Sequence, residues 1–521
     1  MSFINTRNVI GDQATLDGLV ANTLTELNED GVNTLRQCAL YYNSGLISVA
    51  FPGISNTTCG SSTFYRCTYL TTAAFPNMTY FANYMFEACT SLVDISAPAA
   101  TGGSNACLMS CYALESVNFP MVTRLNANVF DACRLLSSVS FSTSFSVIGV
   151  SAFRGCVKLQ SISFPNVNNI SASAFYACYK LSTVSLPNLK ILSDCAFTSC
   201  PIKKLVLPMV SRMGFSVTDY AWEVDIGTQV SFNTQTFYND ANLFSLLLRS
   251  SSMTSLPSAN VFMNTPIQYG YGKIYVPNDL VSAYRSATNW VTFASQIDSI
   301  DNYTDGPPVG GITDTWAEIF AAEQDGTYLS KYSVGDLKWL EGEDTYYLMQ
   351  IIAFDTDTLA DNSGNAHITW FCKGYYGLAQ MNSSNRSGGW LTSDMRAYLR
   401  ESIFPSLDQT VRSAIKEVSK TYKDSDDSTN SCADTIWIPS YREVLGSTAS
   451  EKSGCVYTGF FTSDQSRIKY SRFMVDSTGS KWWLRSGIDT DRFYCVTANG
   501  TVGGSGEFNS NTLGVVFGFC T

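Results

Sequence analysis

Histidine is almost absent from this sequence: His367 stands alone among 521 residues. One imidazole excludes His-rich metal sites and argues against a Ser-His-Asp triad. It lies in the alternating run AHITWF, where a structural role is expected. Charge is scarce as well. Charged residues make up 15% of the chain, below the usual quarter, and the net charge is −11 with no Lys/Arg-rich run. That argues against nucleic acid or an anionic membrane as partner. Long apolar runs are missing too; stretches such as 243–248 fall far short of a bilayer span, so no membrane insertion is expected. The opening MSFINTRNVIGDQATLDG has neither the basic start nor the apolar core of a secretory signal. A protein with this opening that acts outside a cell is expected to leave by lysis, by a dedicated route, or on a particle.

The chain is 45% hydrophobic, ample for real cores, and its length calls for two or three domains. Ser, Thr and Asn fill the surface in place of charge. The 16 cysteines invite a disulfide reading, but seven of them recur at one position of a repeat. Such a column is more often a ladder of small buried side chains, so mostly free thiols are expected.

The repeat reads Phe-x-x-Cys-x-x-Leu-x-x-Val-x-Phe-Pro. Its cleanest copies are Phe153, Cys156, Leu159, Ile162, Phe164, Pro165 and Phe175, Cys178, Leu181, Val184, Leu186, Pro187. Others centre on Cys67, Cys89, Cys111, Cys133 and Cys200, at steps of 22 or 23 residues. Seven copies in register do not arise by chance. Each places a short strand ended by Pro, which cannot donate to a ladder. One copy cannot bury its own face, so copies must stack into a solenoid. The spacing and residues resemble BspA-like leucine-rich repeats, found in surface proteins of bacteria and protists and in phage proteins. That resemblance covers about residues 39–300. The outward strand positions, Thr72, Asp94, Ser96, Ser116, Asn118, Ser138, Ser140, Ser161, Ser163, Thr183 and Ser185, are small and polar. They lack the Trp, Tyr and Arg of binding hot spots, so the solenoid reads as a rigid spacer.

Residues 1–38 read as a leader. Asp12 and Thr15 could cap a helix carrying Leu16, Leu19, Val20, Leu24 and Leu27, either closing the solenoid or attaching it to a larger assembly. The repeats decay after Pro208, and 273–297 resembles the terminal unit of such arrays, a strand then a helix from about Leu280. DNYTDGPPVGGITD reads as a linker over 301–315.

A second domain is expected over 316–521. A helix at 316–323, strands at 331–340 and 346–354, a helix broken near Pro405 over 395–418, and a strand at 435–444 suggest α+β. GGWLTSDMRAYL (388–399), DTIWIPSYREV (434–444), KWWLRSG (481–487) and the closing GVVFGF (514–519) together resemble a family of bacterial and phage C-terminal domains. Those are similar to the C-type lectin fold and to formylglycine-generating-enzyme-like domains, and often serve as variable proteins of diversity-generating retroelements. Members commonly close on Gly-Val-Arg-Pro; here Val516 and Phe517 take the last two places.

In that family the diversified positions lie between the WWLRS-like strand and the last strand, which maps onto 488–512. Flexible polar residues with a few aromatics also resemble a paratope, against the plainer reading of a glycine-rich loop between two strands. The contact residues are Asp489, Thr490, Asp491, Phe493, Tyr494, Thr497, Asn499, Ser505, Glu507, Phe508, Asn509 and Asn511. Phe493, Tyr494 and Phe508 are either anchors or core residues. Trp482, Trp483 and Leu484, with a buried strand over 513–519, supply the frame.

No cofactor is expected, and no metal from the residues themselves. Asp355, Asp357 and Asp361 only faintly resemble a calcium loop, because Leu359 sits where a polar ligand is required; the resemblance to C-type lectins, which often bind calcium, keeps calcium open. The resemblance implies a non-enzymatic receptor-binding protein, a phage tail-tip or fibre component. Its partners would be a host surface protein or glycan and, through the leader, virion tail proteins, in a possible homotrimer. A bacterial surface adhesin with the same parts is the alternative. A formylglycine-generating-type oxidoreductase would need two cysteines within bonding distance in a cleft.

Overall fold

The computed structural model describes residues 25–28, 35, 37–54, 60–304, 311–343, 346–383, 389–424, 428–446, 455–457, 459–469 and 479–521. It divides into two compact units, Met1–Gly306 and Pro307–Thr521. The helix expected before residue 25 lies outside the described residues. Leu27 does not extend it: Glu26–Asn28 is a strand, paired in parallel with Ser48–Ala50. The solenoid therefore begins by residue 26, earlier than the repeat pattern suggests, and runs about 12 turns to residue 299.

Within each coil the apolar residues of the repeat turn inward. Phe64, Cys67, Leu70, Phe153, Cys156 and Leu159 are all fully buried. The phenylalanines stack along the axis: Phe130–Phe153, Phe153–Phe175 and Phe175–Phe197 have centroids 5.4, 5.2 and 5.3 Å apart. The column cysteines are free thiols, and they do more than fill space. Each S–H donates to the carbonyl of the residue opening the previous corner: Cys89 to Phe64 at 3.0 Å, Cys156 to Phe130 at 3.2 Å, Cys178 to Phe153 at 3.1 Å, Cys200 to Phe175 at 3.0 Å. The Phe64 carbonyl also accepts the Cys67 N–H of its own coil at 3.1 Å. One acceptor thus joins two coils, which a leucine or valine at the cysteine position could not achieve.

Each corner from Leu40 to Phe197 carries left-handed residues two before and two after the phenylalanine position, as at Asn128 and Ala132 around Phe130 or Ser173 and Ala177 around Phe175. Left-handed backbone costs an L-residue about 1–2 kcal/mol. Gly155, with φ +70°, is the one glycine in these pairs.

The strands form ladders in blocks. One runs from Glu26–Asn28 to Asp94–Ser96, one joins Ser116–Phe119 to Ser138–Phe141, one joins Ser161–Ser163 to Thr183–Ser185, and the last runs from Lys204–Leu207 to Ile297–Ser299. The sequence pattern showed one strand per repeat. The structure adds a second, two-residue strand on another side of the coil, forming a continuous ladder from Val147–Ile148 to Ser231–Phe232 that spans two of the breaks. At the break before Ser161 a cleft of about 230 Å³ opens, floored by Phe141, Phe145 and Phe164. The strand Lys273–Val276 and the helix Val281–Ser286 lie where the terminal unit was expected.

In the second unit we number the strands β1 (Leu337–Glu341), β2 (Tyr346–Phe354), β3 (Ile368–Cys372), β4 (Leu378–Gln380), β5 (Val418–Lys423), β6 (Thr429–Asp434), β7 (Trp482–Gly487), β8 (Arg492–Val496), β9 (Glu507–Phe508), β10 (Thr512–Gly514) and β11 (Gly518–Cys520). Two sheets result, ordered β1-β2-β3-β11 and β4-β10-β7-β8-β9, with β5 and β6 as a separate hairpin. The helix Trp316–Gln324 opens on a capping box between Thr315 and Glu318. Several expectations are corrected. The run 331–340 is strand only from Leu337; Tyr328–Lys331 is helical. The 395–418 helix is broken into short pieces and gives way to β5. The final apolar run is two strands in different sheets, and Gly518, opening the second, is packed against both β3 and Trp437. A Cβ there would lie 2.7 Å from the Trp437 ring and 2.8 Å from the Trp370 carbonyl.

Two substitutions test the corner. Cys133→Ala removes both the filler and the S–H bond to Leu108, and should cost about 1–2 kcal/mol. Ala132→Gly, next to Gly155 on the adjoining coil, should gain about 0.5–1 kcal/mol. Denaturant midpoints read both. The column thiols should react with a thiol reagent only on unfolding, since burial raises Cys89, Cys111 and Cys133 well above the usual thiol range.

Candidate functional site

β7 is buried at every position because it lies between β8 and β10. Trp482 and Trp483 anchor it, their indole N–H groups donating to the carbonyls of Arg467 and Ala379. The segment beyond is not the soft loop the composition suggested. It folds back as β8 and β9, and each turn is pinned by its own polar groups. Asp489 accepts the Arg492 N–H at 3.0 Å and pairs with its guanidinium, Nε to Oδ2 2.8 Å. That hydrogen bond holds the Asp489 carboxyl below its ordinary range. Thr497, Asn499 and Thr501 bond one another across the next turn. Gly500, with φ +87°, is required there, since a Cβ would meet the Asp464 carbonyl.

The twelve expected contact residues therefore separate. Thr490, Asn499, Ser505 and Phe508 are exposed, and Phe508 is 52% accessible. Asp489, Asp491, Tyr494, Thr497, Glu507 and Asn511 are half-buried. Two are corrected. Phe493 points inward from β8 and is 2% exposed; Asn509 is fully buried, its backbone bonded to Asp491 and Asn382. Neither can touch a ligand directly. Tyr494 packs on Tyr441, ring centroids 4.2 Å apart, a partner the sequence gave no sign of. Lys481 and Asn511 both hold Glu507.

The structure also gathers a charged cluster that sequence reasoning missed. The Lys420 ammonium contacts Asp357, Glu443 at 3.2 Å and the Tyr457 hydroxyl at 2.7 Å, and lies 3.4 Å from the Trp437 ring centroid. Arg485 donates to Glu443 at 2.6 Å and to the carbonyls of Ile438 and Thr421. All four charged side chains are buried. The missed signal was the alternation Val418, Lys420, Tyr422, which puts a lysine on the inward face of β5. Asp357, Glu443 and Cys455 offer three ligand-type atoms within 4.8 Å of one another. Lys420, however, already stands as the cation between the two carboxylates. Burial alone would raise Glu443; Arg485 and Lys420 overcome it and hold the carboxyl at about 2. Burial would likewise lower Lys420, and Asp357 and Glu443 reverse this. The three aspartates of the faint calcium loop go to different partners: Asp355 to Tyr328 and His367, Asp357 to Lys420, Asp361 to the Ser363 N–H. The unit's cysteines are free thiols, and burial pushes Cys432 up to about 12 and Cys495 to about 11.

Residues 21–103 and 101–221 match the model of the BspA type leucine rich repeat region, in 6 copies. The solenoid over residues 26–299 matches a leucine-rich-repeat solenoid. Residues 369–515 match a family described only as a domain of unknown function, DUF6273. No curated protein matches the chain. Among solved structures, a leucine-rich repeat protein from Bacteroides ovatus is 18% identical with TM-score 0.40, covering 48% of this chain and 71% of its own. A leucine rich repeat protein from T. pallidum is 23% identical with TM-score 0.29, covering 32% and 80%. A leucine rich cell surface protein from Faecalibacterium prausnitzii is 16% identical with TM-score 0.32, covering 53% and 87%.

The charged cluster makes an acid-stability prediction. Glu443 lies at about 2 when folded against an ordinary 4.5. It therefore stabilises above pH 4.5, and that stabilisation is lost as pH falls through about 2. Glu443→Gln should cost about 3–5 kcal/mol at neutral pH, because Arg485 and Lys420 lose a buried partner. Urea unfolding at stepped pH should also show a flatter acid limb in the variant.

Proposed function

We propose that this is a receptor-binding or adhesion protein whose second unit, a C-type-lectin-like domain, presents a variable ligand-binding surface. The observation that supports it most is the separation of frame and display. The side chains that set the fold, Trp482, Trp483, Arg485 and Phe493, are buried. The exposed Thr490, Asn499, Ser505 and Phe508 lie in or beside turns held by main-chain and local polar bonds. Such positions can change without unfolding the domain, as a diversified site requires. The ligand is a host surface protein or glycan. The protein acts in binding rather than catalysis, with no cofactor. Its setting is a phage tail tip or fibre, with the leader joining tail proteins and a homotrimer as the assembled form; a cell-surface adhesin is the alternative. Immunolabelling of virions and cells separates the two settings. A neighbouring reverse-transcriptase gene, with a near-copy of the 488–512 coding sequence differing at adenines, supports the diversified reading.

Phe508 is the anchor. Phe508→Ala should weaken host-cell binding by about 30-fold, near 2 kcal/mol, and leave the melting temperature in place. Trp483→Ala should instead cost about 3–5 kcal/mol of stability. If Phe508→Ala leaves binding intact, these turns are not the paratope.

A further inference from the structure

The strand face of the solenoid is as bare as its sequence: Thr72, Asp94, Ser96, Ser116, Asn118, Ser161 and Ser163 are exposed or nearly so, and all are small or acidic. The missing tyrosines and arginines are on the corners, whose turn residues the repeat pattern leaves unspecified. Tyr41, Tyr42, Tyr69, Tyr112, Tyr176 and Tyr179 are exposed there. Tyr41 and Tyr65, on adjoining coils, stack at 4.9 Å and 9°. The Arg66 guanidinium lies 5.4 and 5.5 Å from the Tyr42 and Tyr65 ring centroids, and that of Arg134 lies 4.8 Å from Tyr112.

The corners are also basic, in a chain of net charge −11. They carry Arg66, Arg134, Arg154, Lys158 and Lys180 against Glu87 and Asp131. Asp131 is taken up by Arg154 at 2.9 Å. Arg66, Arg134, Lys158 and Lys180 form no salt bridge among the described residues. The charge of Arg66 is partly met by nearby Glu87; Arg134, Lys158 and Lys180, without an ion pair and beside exposed rings, attract an anion with an apolar face.

We propose that this edge is a binding site for a linear, carboxylate-bearing polysaccharide. The strip crosses seven consecutive corners, from Tyr41 to Lys180, about 30 Å at the usual inter-strand spacing. It is only one or two side chains wide. A globular protein partner needs a broad patch of about 800 Å² with a compact anchor at its centre; a narrow row of rings with cations toward its two ends fits an extended polymer. Arg66, Arg134, Lys158 and Lys180 take the uronate carboxylates, and Tyr65, Tyr69, Tyr112 and Tyr179 offer ring edges and hydroxyls to the sugars. The site is separate from the turns beyond β7, so either can fail without the other.

The test uses the full chain and alginate as probe, with neutral dextran and poly-glutamate as controls, read by calorimetry. Alginate should bind at low ionic strength, weaken as salt rises, and outcompete both controls. Arg134→Ala with Lys158→Ala and Lys180→Ala should weaken it at least tenfold. Tyr65→Ala with Tyr112→Ala should weaken alginate but not poly-glutamate, and Phe508→Ala should change nothing. Unchanged melting temperatures confirm folded variants, and the salt titration of the native chain stands independently of them. Absence of alginate binding overturns the proposal, as does an unaffected triple variant. Equal binding of poly-glutamate with no effect of the tyrosine pair assigns the edge to acidic proteins instead, and also overturns it.

Discussion

Seven successive corners of the solenoid are each tied by one shared acceptor. At Leu40, Phe64, Phe86, Leu108, Phe130, Phe153 and Phe175 the carbonyl receives an N–H from its own coil and an S–H from the next. Main-chain bonds would stack coils without it, but they leave the inner column to be filled by something small. A thiol is small enough to lie beneath the stacked rings and still donates. That combination explains why cysteine recurs although, among the described residues, the thiols form no bridges. It also explains why the phenylalanine ladder keeps its pitch, since both groups are fixed to the same carbonyl.

The second unit is held by a different constraint. Trp437 packs against β11 at Gly518, where a side chain has no room, and the interior includes Lys420, Arg485, Asp357 and Glu443. A buried cluster of four charges is tolerable only when every member is matched. Here two cations face two carboxylates, and backbone carbonyls take further guanidinium donors. The turns beyond β7 take no part in this arrangement: their polar bonds run among Asp489, Arg492, Thr497, Asn499 and Thr501.

The repeat was legible because its period is a packing requirement: a residue that must be buried in every coil leaves a mark every 22 or 23 positions. Its first coil was not, since Leu27 has no cysteine three residues after a phenylalanine to announce it. The short second strand was hidden for a similar reason; two residues carry no alternation. In the second unit, β2 and the buried Trp482 and Trp483 followed from apolar density. The tail did not. Glycine and asparagine are as frequent in tight turns between strands as in open loops, so composition could not show that β8 and β9 pair, or that Phe493 and Asn509 face inward. Tyr441 meets Tyr494 across 53 positions of sequence with no local trace.

The breaks in the strand ladder give the solenoid an uneven load path. Where Ser138–Phe141 parts from Ser161–Ser163, and again after Thr183–Ser185, the second ladder carries the junction. Between Asp94–Ser96 and Ser116–Phe119 neither ladder continues among the described residues. Main-chain bonds there come from the corner, through Ala106, Leu108, Ser110 and Ala113. Asn126 adds a side-chain tie there, donating to the Gly103 carbonyl at 2.8 Å and to the Tyr80 hydroxyl, so an axial load at that joint falls on the corner bonds and one amide rather than on a strand ladder.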